Sequence, residues 1–320
     1  MVTKIYANAV AKYNEGKLLD AEKIRRLLDA EFSDAVKMLC DYGYGGGTVD
    51  AKSYDIDAFI SSETAALIDY VFSSSPNVYL SRVLTNRFLY GNAKAYYKAR
   101  VSSKPLSFAV YDMADGEIRA GIERGEYAAL PKFMAEALDR LDTEFADAKP
   151  DPKLIDARLT EAMYADNLFC AKKSKSKSLR EFVRGEIDLT NVLSSLRARA
   201  LKVSEAALGN LFLSGGEISF DCVVDIYRSE NPLSVVSETR YGFIADGSDT
   251  VDFPLLEART DDFLSNIWQP HAEDMLSFSP FVSYFIEQLN EYKTVKTILT
   301  CIKNNARGEI ASRLRTFGKI

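Results

Sequence analysis

The stretch that decides the fold is Leu179-Arg-Glu-Phe-Val-Arg-Gly-Glu-Ile-Asp-Leu-Thr-Asn-Val-Leu-Ser-Ser-Leu-Arg-Ala-Arg-Ala-Leu-Lys-Val203. Leu179, Phe182, Val183, Ile187, Leu193, Leu196 and Ala200 recur at steps of three and four, so one face of a long helix is apolar. Arg180, Arg184, Asp188, Asn191, Ser195 and Arg199 step along the other side. This polar row is read as a solvated face, with Asp188 reaching Arg184 as an i,i+4 pair.

The same periodicity runs outward in both directions. Phe281, Phe285, Gln288, Tyr292, Val295, Leu299 and Ile302 alternate steps of four and three, a seam that predicts a last long helix packed along its length. Towards the other end, Ile24, Leu28, Phe32, Val36 and Cys40 predict either one helix over 20–42 or two broken near Ser33. Asp41-Tyr-Gly-Tyr-Gly-Gly-Gly-Thr48 then ends the helix in a loop. It lacks the preceding strand and following lysine of a phosphate cradle. Further helices are predicted over 55–72 and 77–101, separated by Ser73-Ser-Ser-Pro76.

Composition agrees with a helical chain. Gly 17 and Pro 9 among 320 residues are low, which favours long uninterrupted helices over turn-rich sheets. A net charge of −6 argues against gripping nucleic acid. The longest uncharged stretches, 70–81 and 275–286, fall short of the ~18 apolar residues that a membrane span needs. The opening Met-Val-Thr-Lys-Ile-Tyr has no secretory h-region, so the cytoplasm is the expected compartment.

Most catalytic chemistry lacks its residues. His271 is the only histidine, which nearly excludes triads and His-rich metal sites. Lying in Trp268-Gln-Pro-His271, it is read as a hydrogen-bonded turn residue, with Trp268 and Phe263 in the core. Cys40, Cys170, Cys222 and Cys301 are far apart and are expected as free, buried thiols. An enzyme would have to rest on Asp261-Asp262, or on Asp246 with Asp249, as acid and base or as a Mg²⁺ site. Caps and turns are the simpler role for these aspartates. Lys172-Lys-Ser-Lys-Ser-Lys177 is read as a solvated basic loop.

An internal repeat organises the chain. Asn92 and Arg100 match Asn191 and Arg199; Thr294 and Lys303 occupy the third copy, so the anchors lie 99 and 103 residues apart. Gly-Glu-Ile follows each helix, at 116–118, 216–218 and 308–310, and again out of register at 185–187. Breaks at Lys149-Pro-Asp-Pro152 and across 231–254 divide the chain into 1–150 with the N-terminal helices, 151–235, and 236–320.

Six stretches, in this order and spacing, resemble the C/AC39 family of rotary ATPases. They are Tyr6-Ala-Asn-Ala-Val10 with Leu18-Leu19, Leu39-Cys-Asp-Tyr-Gly43, Glu186–Leu193, Leu213–Ile218, Pro280–Phe285 and Glu291–Lys303. Departures from the family pattern are Thr294, Ala306-Arg307 and the ending Thr316-Phe-Gly318. The resemblance implies an all-α protein of three related helical subdomains, arranged with pseudo-threefold symmetry as a funnel-shaped socket.

What it implies functionally is a non-catalytic central-stalk adapter with no catalytic, cofactor-binding or metal residues of its own. It would join the central-shaft subunits of D/F type to the membrane proteolipid ring. One copy per complex, peripheral on the cytoplasmic face, would pass torque for ATP-coupled H⁺ or Na⁺ transport. Several aromatics should then be exposed in the isolated chain. The rival reading is a helical scaffold unrelated to rotary motors, but its repeats would run about 34–47 residues.

Overall fold

Helix starts are written in the sequence as caps. Thr3, Asp20, Asp55, Asn77, Asp151, Ser176, Ser219, Asn231 and Asp252 each accept a hydrogen bond from a first-turn N–H, satisfying donors that have no partner within the helix. The computed structural model describes residues 2–47, 55–103, 111, 113–246, 250–309 and 314. Among these there are fourteen α-helices and no strands, so the chain is all-α. It divides into two compact units, Asn77–Val251 and the remainder on either side.

The first unit holds α1 (Lys4–Glu15), α2 (Ala21–Asp29), α3 (Phe32–Asp41), α4 (Ile56–Ser74), α13 (Phe253–Asn266) and α14 (Ser279–Lys303). Of the two readings of 20–42, the pair of helices is the observed one. The break falls at Ala30 and Glu31, whose extended backbone separates α2 from α3 ahead of Ser33. The glycine loop turns through one short 3₁₀ segment at Tyr44–Gly47. On α14 the expected seam is buried apart from the half-buried Gln288, and burial continues round the helix to Val282, Asn290, Thr294 and Ile298. The reason is that α1, α2, α3, α4 and α13 all pack against it, so it is a central helix and not one half of a two-helix seam. Trp268 is wholly buried, as expected, and Phe263 half-buried.

The second unit holds α5 (Val78–Ser102), α6 (Gly116–Arg124), α7 (Lys132–Glu144), α8 (Pro152–Ser174), α9 (Lys177–Ala200), α10 (Leu208–Leu211), α11 (Phe220–Arg228) and α12 (Pro232–Ser237). Pro152 opens α8 at its first position, where the missing N–H costs no hydrogen bond. Helix α8 lies against α5, α7 and α9, and Tyr90, Tyr97, Ile122, Met134, Leu138, Leu141, Ile155 and Leu159 fill a continuous core. The basic run at 172–177 is exposed but is not a loop. Lys172 and Lys173 end α8, where cations suit the helix dipole, Lys175 takes a left-handed conformation, and Ser176 caps α9.

Candidate functional site

Of the residues that could have carried catalysis, Asp261 and Asp262 are engaged by other groups. Asp261 accepts from Lys293 Nζ at 2.7 Å, and Asp262 has a partner as well. Asp246 is exposed, and Asp249 lies outside the described residues. His271 is exposed in a 3₁₀ turn and its backbone N–H donates to Trp268 O. No cluster of three metal-ligating side chains occurs among the described residues. All four cysteines are free thiols. Cys170 and Cys301 are buried, but Cys40 and Cys222 are only half-buried, because each sits at the edge of its helix's apolar face.

The structure gives two of the repeat anchors the same bonds. Asn92 on α5 donates from Nδ2 to Tyr111 O and accepts at Oδ1 from Tyr111 N, both at 2.8 Å. Asn191 on α9 makes the same pair of bonds, at the same distances, with Leu213. Each side-chain amide thus replaces one peptide partner and stitches the following segment to its long helix. Eight residues on, Arg100 Nη1 donates to Ile122 O near the end of α6, and Arg199 Nη1 to Tyr227 O near the end of α11. Tyr227 O is a carbonyl that its helix end leaves open, whereas Ile122 O also accepts from Gly125 N at 3.2 Å.

The polar row on α9 is therefore not a solvated face. Asp188, Asn191 and Ser195 are buried, Ser195 donating to Val223 O, while only Arg180 and Arg184 face solvent. Asp188 does not pair with Arg184. Its carboxylate accepts from Glu217 N at 2.8 Å, Ile218 N at 2.9 Å and Tyr241 Oη at 2.8 Å, because α9 turns this side towards the chain's next elements. Ala200, expected in the buried stripe, is exposed at the helix end. Gly216 is required by the approach: a Cβ there would lie 2.7 Å from Asp188 Cγ and overlap its oxygen. Gly116, in the matching tripeptide, faces open space.

On α14, where the third copy is expected, an acid stands at the corresponding place. Glu291, three residues before Thr294 as Asp188 is before Asn191, accepts from Leu19 N at 2.5 Å, from Gln288 Nε2 at 2.9 Å and from the Tyr44 hydroxyl. Burial pushes the Glu291 carboxyl above its ordinary range, and these three donors pull it partly back. Tyr44 is pushed up by its own burial and by the charge of Glu291. In the first copy Leu89 stands where the acid would be. Asp115 takes over, accepting from Asn92 Nδ2 at 2.7 Å and Tyr96 Oη at 3.1 Å.

Two further fasteners carry no motif in the sequence. Asp166 on α8 is wholly buried and takes both oxygens to Arg82 Nη2 at 2.7 Å, with Asn86 at 3.1 Å, locking α8 to α5. Asp142 on α7 accepts from Tyr97 and Tyr127 at 2.8 Å each and pairs with Arg100. The available signal was position: Asp166 falls among Ala162, Met163 and Cys170 on the apolar side of its helix. What these groups do chemically is fasten, each carboxylate spending its lone pairs on donors from other elements.

The surface supplies the rest. A cleft of about 980 Å³ in the second unit is lined by Arg82, Asp115, Gly116, Lys132, Phe133 and Phe169, with the two phenylalanine rings 5.8 Å apart. Tyr6, Tyr13, Phe72, Phe169 and Phe220 are exposed, as the adapter reading expected of aromatics. No described helix is long and apolar enough to cross a membrane.

Residues 7–313 match the family described as ATP synthase (C/AC39) subunit. The chain is 25% identical to the C subunit of the A-type ATP synthase of Thermococcus onnurineus, covering 95% of this chain and 87% of that one. It is 24% identical to the C subunit of the V-type ATP synthase of Thermus thermophilus, over 66% of this chain and 67% of that one. To the C subunit of the V-type sodium ATPase of Enterococcus hirae it is 19% identical over 93% of each.

Proposed function

We propose, from the premise that this chain belongs to the ATP synthase (C/AC39) subunit family, that it is the central-stalk adapter of a rotary ATPase. The family is an accessory subunit of A- and V-type ATP synthases and not the catalytic one. As a member, the chain is a subunit of such a complex and has partners there. In the proposed role it seats the central-shaft subunits of D/F type on one side. On the other it rests on the proteolipid rotor ring, at the cytoplasmic face, as one copy per complex. It passes torque between them for ATP-coupled H⁺ or Na⁺ transport.

The observation that carries this reading is the repeated clamp. The same two-bond ring at Asn92 and Asn191, with the arginine eight residues on in both, supports descent of two segments from one unit. The long helix α14, with Glu291 set as Asp188 is, supports a third. Three such units would form a funnel with pseudo-threefold symmetry. Buried ion pairs and amide clamps suit a coupling, because each fixes one element against another with little slack.

The test is purification from native membranes through a tag on this chain. The shaft and ring subunits should accompany it at one copy of this chain per complex. Depleting it should leave ATP hydrolysis by the detached head intact while ion transport stops. Transport unchanged without the chain would end the proposal.

A further inference from the structure

The glycine loop of the first unit is fastened by two acids. Residues Tyr44–Gly47 make a single 3₁₀ turn packed on α3 and α4, with Gly43 at φ +102° and Gly45 at φ +65°, conformations that glycine adopts without steric cost. The Tyr44 hydroxyl donates to Glu291 on α14, and Gly45 N donates to Glu63 Oε1 on α4 at 2.7 Å. Successive residues of one short turn are thus held by carboxyls from two different helices. Glu291 holds a second segment as well, accepting from Leu19 N, between α1 and α2, at 2.5 Å. In the second unit the side-chain amides of Asn92 and Asn191 hold Tyr111 N and Leu213 N with no titrating group in the bond.

We infer that this loop is a pH-sensitive latch, closed while Glu63 and Glu291 are neutral and released as they ionise. Lys23 on α2 is the cation that acts on Glu291, and it does so less than the three hydrogen-bond donors. The other groups around the two carboxyls are acids, thiols or phenols: Cys40 and Asp41 on α3, and Tyr284, Glu287 and Tyr292 on α14. Charges on the remaining helices packed against α14 are paired with each other, Lys12 with Glu15 on α1, Asp57 of α4 with Lys296, and Asp261 of α13 with Lys293. Burial is the first cause that raises both carboxyls, with the Gly45 bond opposing it at Glu63. In the closed loop the ionised forms lack the hydration that an open loop would give them. Closure is therefore complete below the ordinary value of 4.5 and weakens as pH rises through the raised values. Release takes the Tyr44 ring from Phe59, 5.7 Å away, and from Tyr292, 6.0 Å away, and wets the aromatic contact between α4 and α14. None of this depends on the adapter reading.

The test is hydrogen exchange on the full chain, read by peptide-resolved mass spectrometry from pH 5 to pH 8 and corrected for the intrinsic exchange rate at each pH. Protection of Gly45 N and Leu19 N should fall about tenfold across that range, the change that one unit of pKa difference between closed and open loop produces. Leu213 N, held by Asn191, should keep its protection. Glu63→Gln should flatten the fall at Gly45, and Glu291→Gln the fall at Leu19, because each keeps a side-chain acceptor and loses the titration. Flat protection of both amides in the wild-type chain overturns the inference, and so does a fall of unchanged size in the two Gln variants. An equal fall at Leu213 makes the opening global and overturns it too. Should Glu291→Gln fail to fold, Glu63→Gln at its half-buried position decides alone, since an unchanged fall at Gly45 there removes the latch.

Discussion

Asn92 and Asn191 each stand fourteen residues after the first residue of a long helix, and each closes the same ring of two 2.8 Å hydrogen bonds on a later backbone segment. A buried amide that satisfies one N–H and one C=O at once cannot be removed cheaply, since both backbone groups are then left without partners. Asn191→Ala should destabilise the chain by about 2–4 kcal/mol, measured by urea denaturation. Asn191→Asp keeps the acceptor for Leu213 N but sets a carboxylate against Leu213 O, so it should be no better. A cost below about 0.5 kcal/mol for either would mean that the clamp is ornamental.

The tripeptide Gly-Glu-Ile should respond differently at Gly216 and at Gly116. At Gly216 a methyl group would occupy the place of the Asp188 carboxylate, which holds Glu217 N and Ile218 N. Gly216→Ala should therefore cost about 3 kcal/mol or more, through an unpaired buried acid. Gly116 begins α6 with open space around it, so Gly116→Ala should be neutral or stabilising by up to about 1 kcal/mol. Similar thermal midpoints for the two variants would contradict the geometry.

The fold was legible because periodicity records burial. The long helices over 77–101, 179–203 and 281–302 all appear within a few residues of their predicted places. The 99-residue anchor spacing picked out Asn92 and Asn191 before any contact was known. What periodicity could not say is which polar residues face inward. Asp188 and Ser195 look like a solvated row when hydropathy alone is projected on a helix. They are buried because the chain returns over them at Gly216–Ile218 and Val223, a tertiary event with no local signature. The partners of Asp166 and Asp142 were hidden for the same reason, since they lie 84 and 42 residues away.

Thiol chemistry should separate the cysteines by burial. Cys170 lies against Asp166, and burial followed by that charge pushes its thiol up to about 12. Cys301 is buried on α14. Under native conditions maleimide should label Cys40 and Cys222 first, with Cys170 and Cys301 reacting only as the protein unfolds. Cys170 labelling as fast as Cys222 would show that α8 opens locally. In Asp166→Asn the thiol loses the adjacent charge, so its labelling in the folded state should rise only if burial is also lost.

The last prediction concerns Glu291. Its folded-state pKa is raised from the ordinary value near 4.5, first by burial, so the folded chain holds this proton more tightly than the unfolded one. Stability from a group of that sign is complete below the unfolded value and is lost as pH rises through the folded one. Glu291→Gln removes the titration while keeping an acceptor for Leu19 N. The stability of the wild-type chain minus that of Glu291→Gln should therefore be most favourable near pH 4 and decline towards pH 7. Subtracting the two curves cancels every other titrating group, including Glu63, which burial also raises. Tyr44→Phe removes a donor that holds Glu291 down, so the decline should extend to higher pH. A difference that instead grows as pH rises would mean that the ionised carboxylate is the form the fold prefers.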